Sequence, residues 1–127
     1  MIIGIGTDVI HNSRILKIDQ KFGSTFRERF LNEMEQERYH EVSASRQLQF
    51  LTSCFAAKEA AAKSLGTGFR NGIKFKDIVL YHDALGGPKV KFLNKANSLF
   101  IEIGALHADI TISHDLGLTI AFVVLSK

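Results

Sequence analysis

Small and apolar residues alternate from Ile2 to Val9, with Ile3, Ile5 and Thr7 on one side and Gly4, Gly6 and Asp8 on the other. That period of two predicts a strand. Its second face carries two glycines and a carboxylate, so another group can approach the backbone closely there. Asn12 or Ser13 is expected to cap a helix running to about Asp19, and Gly23-Ser24 breaks the chain. A helical stretch from Thr25 to about Val42 follows, with a candidate interruption near Asn32. Ser43 to Ser45 reads as a short polar joint, and Gln47 to Leu65 as the strongest helix, stopped by Gly66-Thr67-Gly68. A loop from Gly68 to Lys76 holds Arg70, Asn71 and Gly72. Strands are expected over Asp77–His82 and Lys89–Phe92, joined through Gly86-Gly87-Pro88. A helix is expected over Asn94–Gly104, and a last pair of strands over Ala108–His114 and Leu118–Leu125, turning at Asp115-Leu116-Gly117. The sum is one α+β domain over residues 1–127, an antiparallel sheet packed against a long central helix and shorter helices.

Turning the long helix through about 100° per residue gives one broad apolar arc. Phe50, Cys54, Ala57, Ala61 and Leu65 hold one side of it, and Leu48, Leu51, Phe55 and Ala62 the other. Lys58 falls inside that arc, where an ammonium must find a partner or extend outward along its stem. Glu59 and Lys63 lie just past the edge, stacked one turn apart. Ser53, Ala56, Ala60 and Ser64 make the remaining face small, which leaves space for a ligand beside Glu59. On spacing alone, Glu59 and Lys63 also read as an ordinary exposed i,i+4 pair.

Composition narrows the function classes. The chain has 127 residues, ten Phe against no Trp and two Tyr, and a single cysteine. One thiol excludes an intrachain disulfide and any zinc site built on several thiolates. No run approaches the roughly 18 apolar residues of a membrane helix, and Asp8 interrupts the early apolar stretch that an export signal needs. A soluble, cytoplasmic protein that binds no membrane is expected. The formal charge is +3, unevenly spread: residues 51–95 hold eight Lys/Arg against three Asp/Glu, while residues 1–50 balance at seven each. A basic middle third suits an anionic small molecule or an acidic protein surface. It lacks the block of basic residues or the motif that nucleic-acid binding would bring, so no nucleic-acid partner is expected. A chain this short has little room for a deep cavity of its own, and a site between subunits would answer that.

Candidate chemistry is sparse when taken piece by piece. Ser113-His114-Asp115 closes an expected strand, but adjacent residues there point to opposite faces, so the three are poor members of one triad. Cys54 reads as a small core hydrophobe. The histidines share no ligand spacing, and Gly4-Ile5-Gly6 lacks the third glycine of a dinucleotide loop.

Three segments together say more. Gly4-Ile5-Gly6-Thr7-Asp8 with Arg14-Ile15, then Phe55-Ala56-Ala57-Lys58-Glu59-Ala60-Ala61-Ala62-Lys63-Ser64-Leu65-Gly66, and last Ser113-His114, occur in the order found in one family. They resemble the G-x-D…R-I, F-x-x-K-E-A-x-x-K-x-x-G and S-H motifs of the holo-[acyl-carrier-protein] synthases, the small phosphopantetheinyl transferases, across essentially the whole chain. The resemblance implies transfer of the phosphopantetheine arm of coenzyme A to a serine of apo acyl carrier protein, with release of adenosine 3′,5′-bisphosphate. It implies Asp8 and Glu59 as metal ligands and, with Lys63, as catalytic residues. Lys63, Gly66, Ser113 and His114 are implied to meet coenzyme A, and Arg14 the carrier, with Lys17, Lys21, Arg27 and Arg29 nearby by charge. Lys58 is expected in a buried supporting role. The implied metal is magnesium, with manganese equally acceptable to such oxygen sites. The serine proton has three candidate acceptors, Glu59, Asp8 and a metal-bound water, of which the water is favoured. A homotrimer with sites at the subunit interfaces is implied as well. Relatives commonly carry a basic residue, which helps hold phosphate, where Cys54 stands; Arg46 is the candidate substitute. The rival reading is a module that binds coenzyme A or a carrier without chemistry.

Overall fold

In the computed structural model, which describes residues 1–70 and 72–127, the first strand sets the direction of everything after it. β1 (Ile2–His11) runs two residues beyond its expected end because β5 (Leu118–Ser126) pairs with it as far as His11–Leu118. β4 (His107–Asp115) joins the other edge of β5, giving an antiparallel sheet in the order β1-β5-β4. The β4–β5 hairpin turns at Leu116 and Gly117, both with positive φ (51° and 76°), a mirror-image turn whose twist matches the flanking strands.

After β1 come α1 (Asn12–Phe22) and α2 (Ser24–Phe30). The expected capping role of Asn12 is not met: the residue before the helix is His11, and Asn12 accepts a hydrogen bond from Thr119 on β5 instead. The interruption near Asn32 is real. Asn32 starts α3 (Glu33–Glu41) with a reciprocal cap, accepting from the Met34 N–H while Glu35 accepts from the Asn32 N–H.

The polar joint expected at Ser43–Ser45 is mostly helix, because α4 (Ala44–Ser64) begins three residues early. α4 is the centre of the molecule and is buried nearly all round. Beyond it a single 3-10 turn (Phe75–Asp77) takes up the residue expected to open the next strand. β2 (Ile78–His82) and β3 (Pro88–Phe92) then form a separate two-stranded sheet, where sequence suggested a single sheet. α5 (Asn94–Glu102) ends two residues short of its expected stop. Asn71 lies outside the described residues.

From Ala56 to Ser64 the small face of α4 is not open to a ligand, and only its first member, Ser53, stays half-buried beside a cleft. Ala56 and Ala60 are fully buried and Ser64 nearly so, because β1 lies directly on them. A Cβ at Gly4 would overlap the Ser64 carbonyl oxygen, and one at Gly6 would overlap the Ala60 carbonyl oxygen and come within 2.7 Å of the Ser64 nitrogen. The bare face of the strand and the small face of the helix are therefore the two halves of one backbone-to-backbone contact.

The apolar arc packs on the other side, where Phe30, Phe55, Phe75 and Phe69 form a connected run of ring contacts. Lys58 is fully buried there and partnered on all three protons. Its ammonium donates to Glu35 Oε1 at 2.7 Å, to the Phe75 carbonyl at 2.9 Å and to the Ile78 carbonyl. Glu35, equally buried, also accepts from the Leu80 N–H at 2.9 Å. Gly6→Ala is expected to force β1 away from α4 and to cost about 3 kcal/mol, the upper range for overpacking, read as a lower urea midpoint with an unchanged m value.

Candidate functional site

Residues from β1 and α4 meet where their backbones touch. Asp8 follows Gly4 and Gly6 on the inner face of the sheet. Lys63, on α4, donates to the Thr7 carbonyl at 3.0 Å and to Asp8 Oδ1 at 3.3 Å. Glu59 stands one turn before Lys63, close enough for Asp8 to repel its charge. The Arg14 guanidinium, carried by α1, lies 5.7 Å from the centre of the Phe55 ring and lowers the proton affinity of both carboxylates.

Both acids nevertheless sit above their ordinary pKa values. For Asp8 the cause is burial, opposed by the Lys63 hydrogen bond and charge; for Glu59 it is burial and then the charge of Asp8. Asp8 Oδ2 is buried without a hydrogen-bond partner. A desolvated, unpartnered carboxylate oxygen within electrostatic reach of a second carboxylate is electrostatically unfinished, and a divalent cation with a preference for oxygen would complete it. Among the described residues, no group of three or more His, Cys, Asp or Glu assembles. Asp8 and Glu59 are the two carboxylates that could serve an ion keeping water or phosphate oxygens for its other positions.

His114 shares the inner face with Asp8, in neighbouring cross-strand rows: Asp8 pairs with Ala121, and His114 with Thr119. Its Nε2 lies 3.1 Å from Ser53 Oγ on α4, and its Nδ1 lies 2.9 Å from Thr119 Oγ1. Burial lowers its pKa below the ordinary histidine value. Ser113 points the other way, onto the outer face beside Ile120. Ser53 also lines a cleft of about 530 Å³ that includes Arg38, Arg46, Phe50 and His82. The cleft's fixed charge comes from Arg38 and Arg46, while burial and the Arg38 charge lower the pKa of His82.

A family model for the 4′-phosphopantetheinyl transferase superfamily matches residues 4–121. This chain belongs to that superfamily. It is 39% identical to a holo-[acyl-carrier-protein] synthase of Nitrosospira multiformis, with both chains covered in full. Its fold is similar to the crystal structure of the synthase from Neisseria meningitidis, with a TM-score of 0.90 at 37% identity and full coverage of both chains. It is also similar to the Helicobacter pylori synthase solved with coenzyme A, with a TM-score of 0.81 at 30% identity, covering 96% of this chain and 99% of that one.

Within this superfamily member, the structure brings Asp8, Glu59, Lys63 and Arg14 together, sets His114 on the same face, and leaves Ser113 on the opposite one. Gly66 serves first as a helix stop: its φ of 89° needs glycine, its N–H bonds to the Lys63 carbonyl, and no neighbouring atom lies where its Cβ would be. Cys54 is fully buried, and burial pushes its thiol pKa well up, as the core reading requires. Arg27, grouped with the basic surface by charge, is held within the fold by Asp19 at 2.5 Å and by the Tyr39 ring. Glu35 escaped the sequence reading, although Lys58 demanded an acid somewhere; the capping-box spacing from Asn32 was the one available signal.

A carboxylate whose folded pKa is raised contributes stability below its ordinary unfolded value and loses it as pH rises through the folded one. At neutral pH the Asp8–Glu59 pair therefore strains the metal-free fold. Glu59→Gln is expected to leave the metal-free Tm at pH 7 equal to or above wild type. Added magnesium should raise the wild-type Tm but not the variant's, as read by scanning fluorimetry.

Proposed function

We propose that this chain transfers the 4′-phosphopantetheine arm of coenzyme A to a serine hydroxyl of apo acyl carrier protein. The serine oxygen forms a new bond to the arm's phosphorus while the phosphoanhydride bond breaks, and adenosine 3′,5′-bisphosphate leaves. The observation that carries the reading is the meeting of Asp8, Glu59 and Lys63 around a buried carboxylate oxygen with no partner. Names and complexes of the relatives support it.

Asp8 and Glu59 would hold magnesium, or manganese, and the bound ion would offset charge on the pyrophosphate as its bond breaks. Lys63 is exposed enough to swing from Asp8 to a phosphate oxygen, supplying a point charge where negative charge gathers. Burial raises the proton affinity of both carboxylates, which suits them to orient a water that takes the serine proton and to receive that proton from it in turn. The nucleophile comes from the carrier, so the chain needs none of its own.

Arg14, with Lys17 and Lys21 on α1 and Arg29 on α2, offers an acidic carrier a basic approach beside the carboxylate pair. Coenzyme A would lie with its nucleotide end toward His114 and the cationic cleft, its pyrophosphate reaching Lys63, and the backbone at Gly66 leaving it room. Arg46 in that cleft takes the place of the basic residue missing at Cys54 for the 3′-phosphate.

The homotrimer belongs to this reading. The outer face of the sheet exposes Ile5, Val9, Ile120 and Phe122, with exposures of 59, 58, 40 and 40%, a contiguous apolar surface suited to copies of the same chain. Ser113 on that face would serve coenzyme A in a site completed by a neighbour. The cytoplasm is part of the same proposal; among the described residues, no helix is long and apolar enough to cross a membrane.

Intact-mass spectrometry of apo carrier protein, incubated with this chain, coenzyme A and magnesium, should show a gain of one phosphopantetheine arm that EDTA abolishes. No gain with several carriers and folded protein would leave a module that only binds. Arg46→Ala is expected to raise KM for coenzyme A about tenfold, the loss of one charge-assisted hydrogen bond, and to leave KM for 3′-dephospho-coenzyme A unchanged.

A further inference from the structure

The Thr119 hydroxyl is fully buried and has three polar neighbours: Asn12 Oδ1 at 2.7 Å, His114 Nδ1 at 2.9 Å and Thr52 Oγ1 at 3.0 Å. A hydroxyl has one proton to give and two lone pairs to receive. The Asn12 oxygen can only accept, so the Thr119 proton belongs to it. The Thr52 proton can turn either to the Gln49 carbonyl at 3.0 Å or to Thr119, so this neighbour makes no claim on the Thr119 proton. With its one proton committed to Asn12, the Thr119 hydroxyl can only accept from the ring, so His114 Nδ1 is the donor. The alternative, Thr119 donating to Nδ1, would leave the Asn12 oxygen without a hydrogen.

We propose that Asn12 and Thr119 are positioning residues that hold His114 as its Nδ1–H tautomer and present Nε2 to the nucleotide end of coenzyme A. This rests on the reading that His114 meets coenzyme A. In the free protein the Nε2 lone pair then accepts from the Ser53 hydroxyl, which keeps that atom hydrogen-bonded until ligand displaces it. A phosphate or hydroxyl arriving there finds a ring already fixed in plane, with only Nε2 left to gain or share a proton. The arrangement also gives Asn12 its reason for not capping α1: its side-chain oxygen is committed to β5.

Two-bond proton–nitrogen spectra of histidine-labelled free protein should show His114 protonated on Nδ1. Thr119→Val keeps the shape and removes the acceptor; the Nδ1 bias should disappear, KM for coenzyme A should rise roughly three- to tenfold with kcat nearly constant, as one neutral hydrogen bond allows, and Thr119→Ser should restore both. Asn12→Ala should weaken the same bias should the buried Val fail to fold. An Nε2–H tautomer in the wild type, or spectra and KM unmoved in Thr119→Val, overturns the proposal directly. An unchanged KM in His114→Ala, with the tautomer as expected, overturns it through the coenzyme A reading alone.

Discussion

The fold hangs on a contact made without side chains, where β1 crosses α4. Gly4 lies against Ser64 and Gly6 against Ala60. Two strand residues advance about 6.8 Å and four helix residues about 6 Å, so the two repeats stay nearly in step. Continuing the match places Asp8 level with Ala56, on the flank from which Glu59 and Lys63 project. A site carboxylate is thus located by counting along two backbones. Any side chain at Gly4 or Gly6 would lift the strand and carry Asp8 away from Glu59.

Proximity alone would leave α4 free to roll about its axis, and a small roll would turn Glu59 away. Lys58 removes that freedom from the opposite side. Its three protons meet three fixed acceptors, from α3, the 3-10 turn and β2, and its partner Glu35 is held in turn by the Asn32 and Leu80 N–H groups. Buried ion pairs return little net stability compared with apolar packing of the same volume. What this one supplies is an angle: consecutive helix residues differ by about 100°, so fixing Lys58 in the core fixes Glu59 toward the sheet. The adjacent pair in the motif is a buried anchor followed by the residue it aims.

Most elements were legible because their signals are local. The alternation in β1, the helix stop at Gly66 and the turn at Leu116-Gly117 depend on residues within a few positions of one another. Lys58 could be called buried from its angle on the helix. Its partner could not be named, because Glu35 sits 23 positions away in a polar run that reads as a solvated face. The same limit explains the small face of α4: Ala56, Ala60 and Ser64 report that something comes close, and only the pairing of β1 shows that it is Gly4 and Gly6, not a ligand. Asn12 looked like a cap because the rule is local, while its actual partner lies 107 residues on.

Strand geometry sets a further condition on the chemistry. Ser113 and His114 are neighbours in β4, so the pleat sends them to opposite faces, His114 toward α4 and Ser113 toward the exposed apolar side. A single copy cannot turn both onto one coenzyme A. The proposed assembly of copies through the outer face would leave His114 to its own chain's cleft and Ser113 to the interface between copies. In the proposed trimer that geometry lets a 127-residue chain, with little interior to spare, enclose a long substrate: each sheet gives one face to its own helix and the other to the next copy.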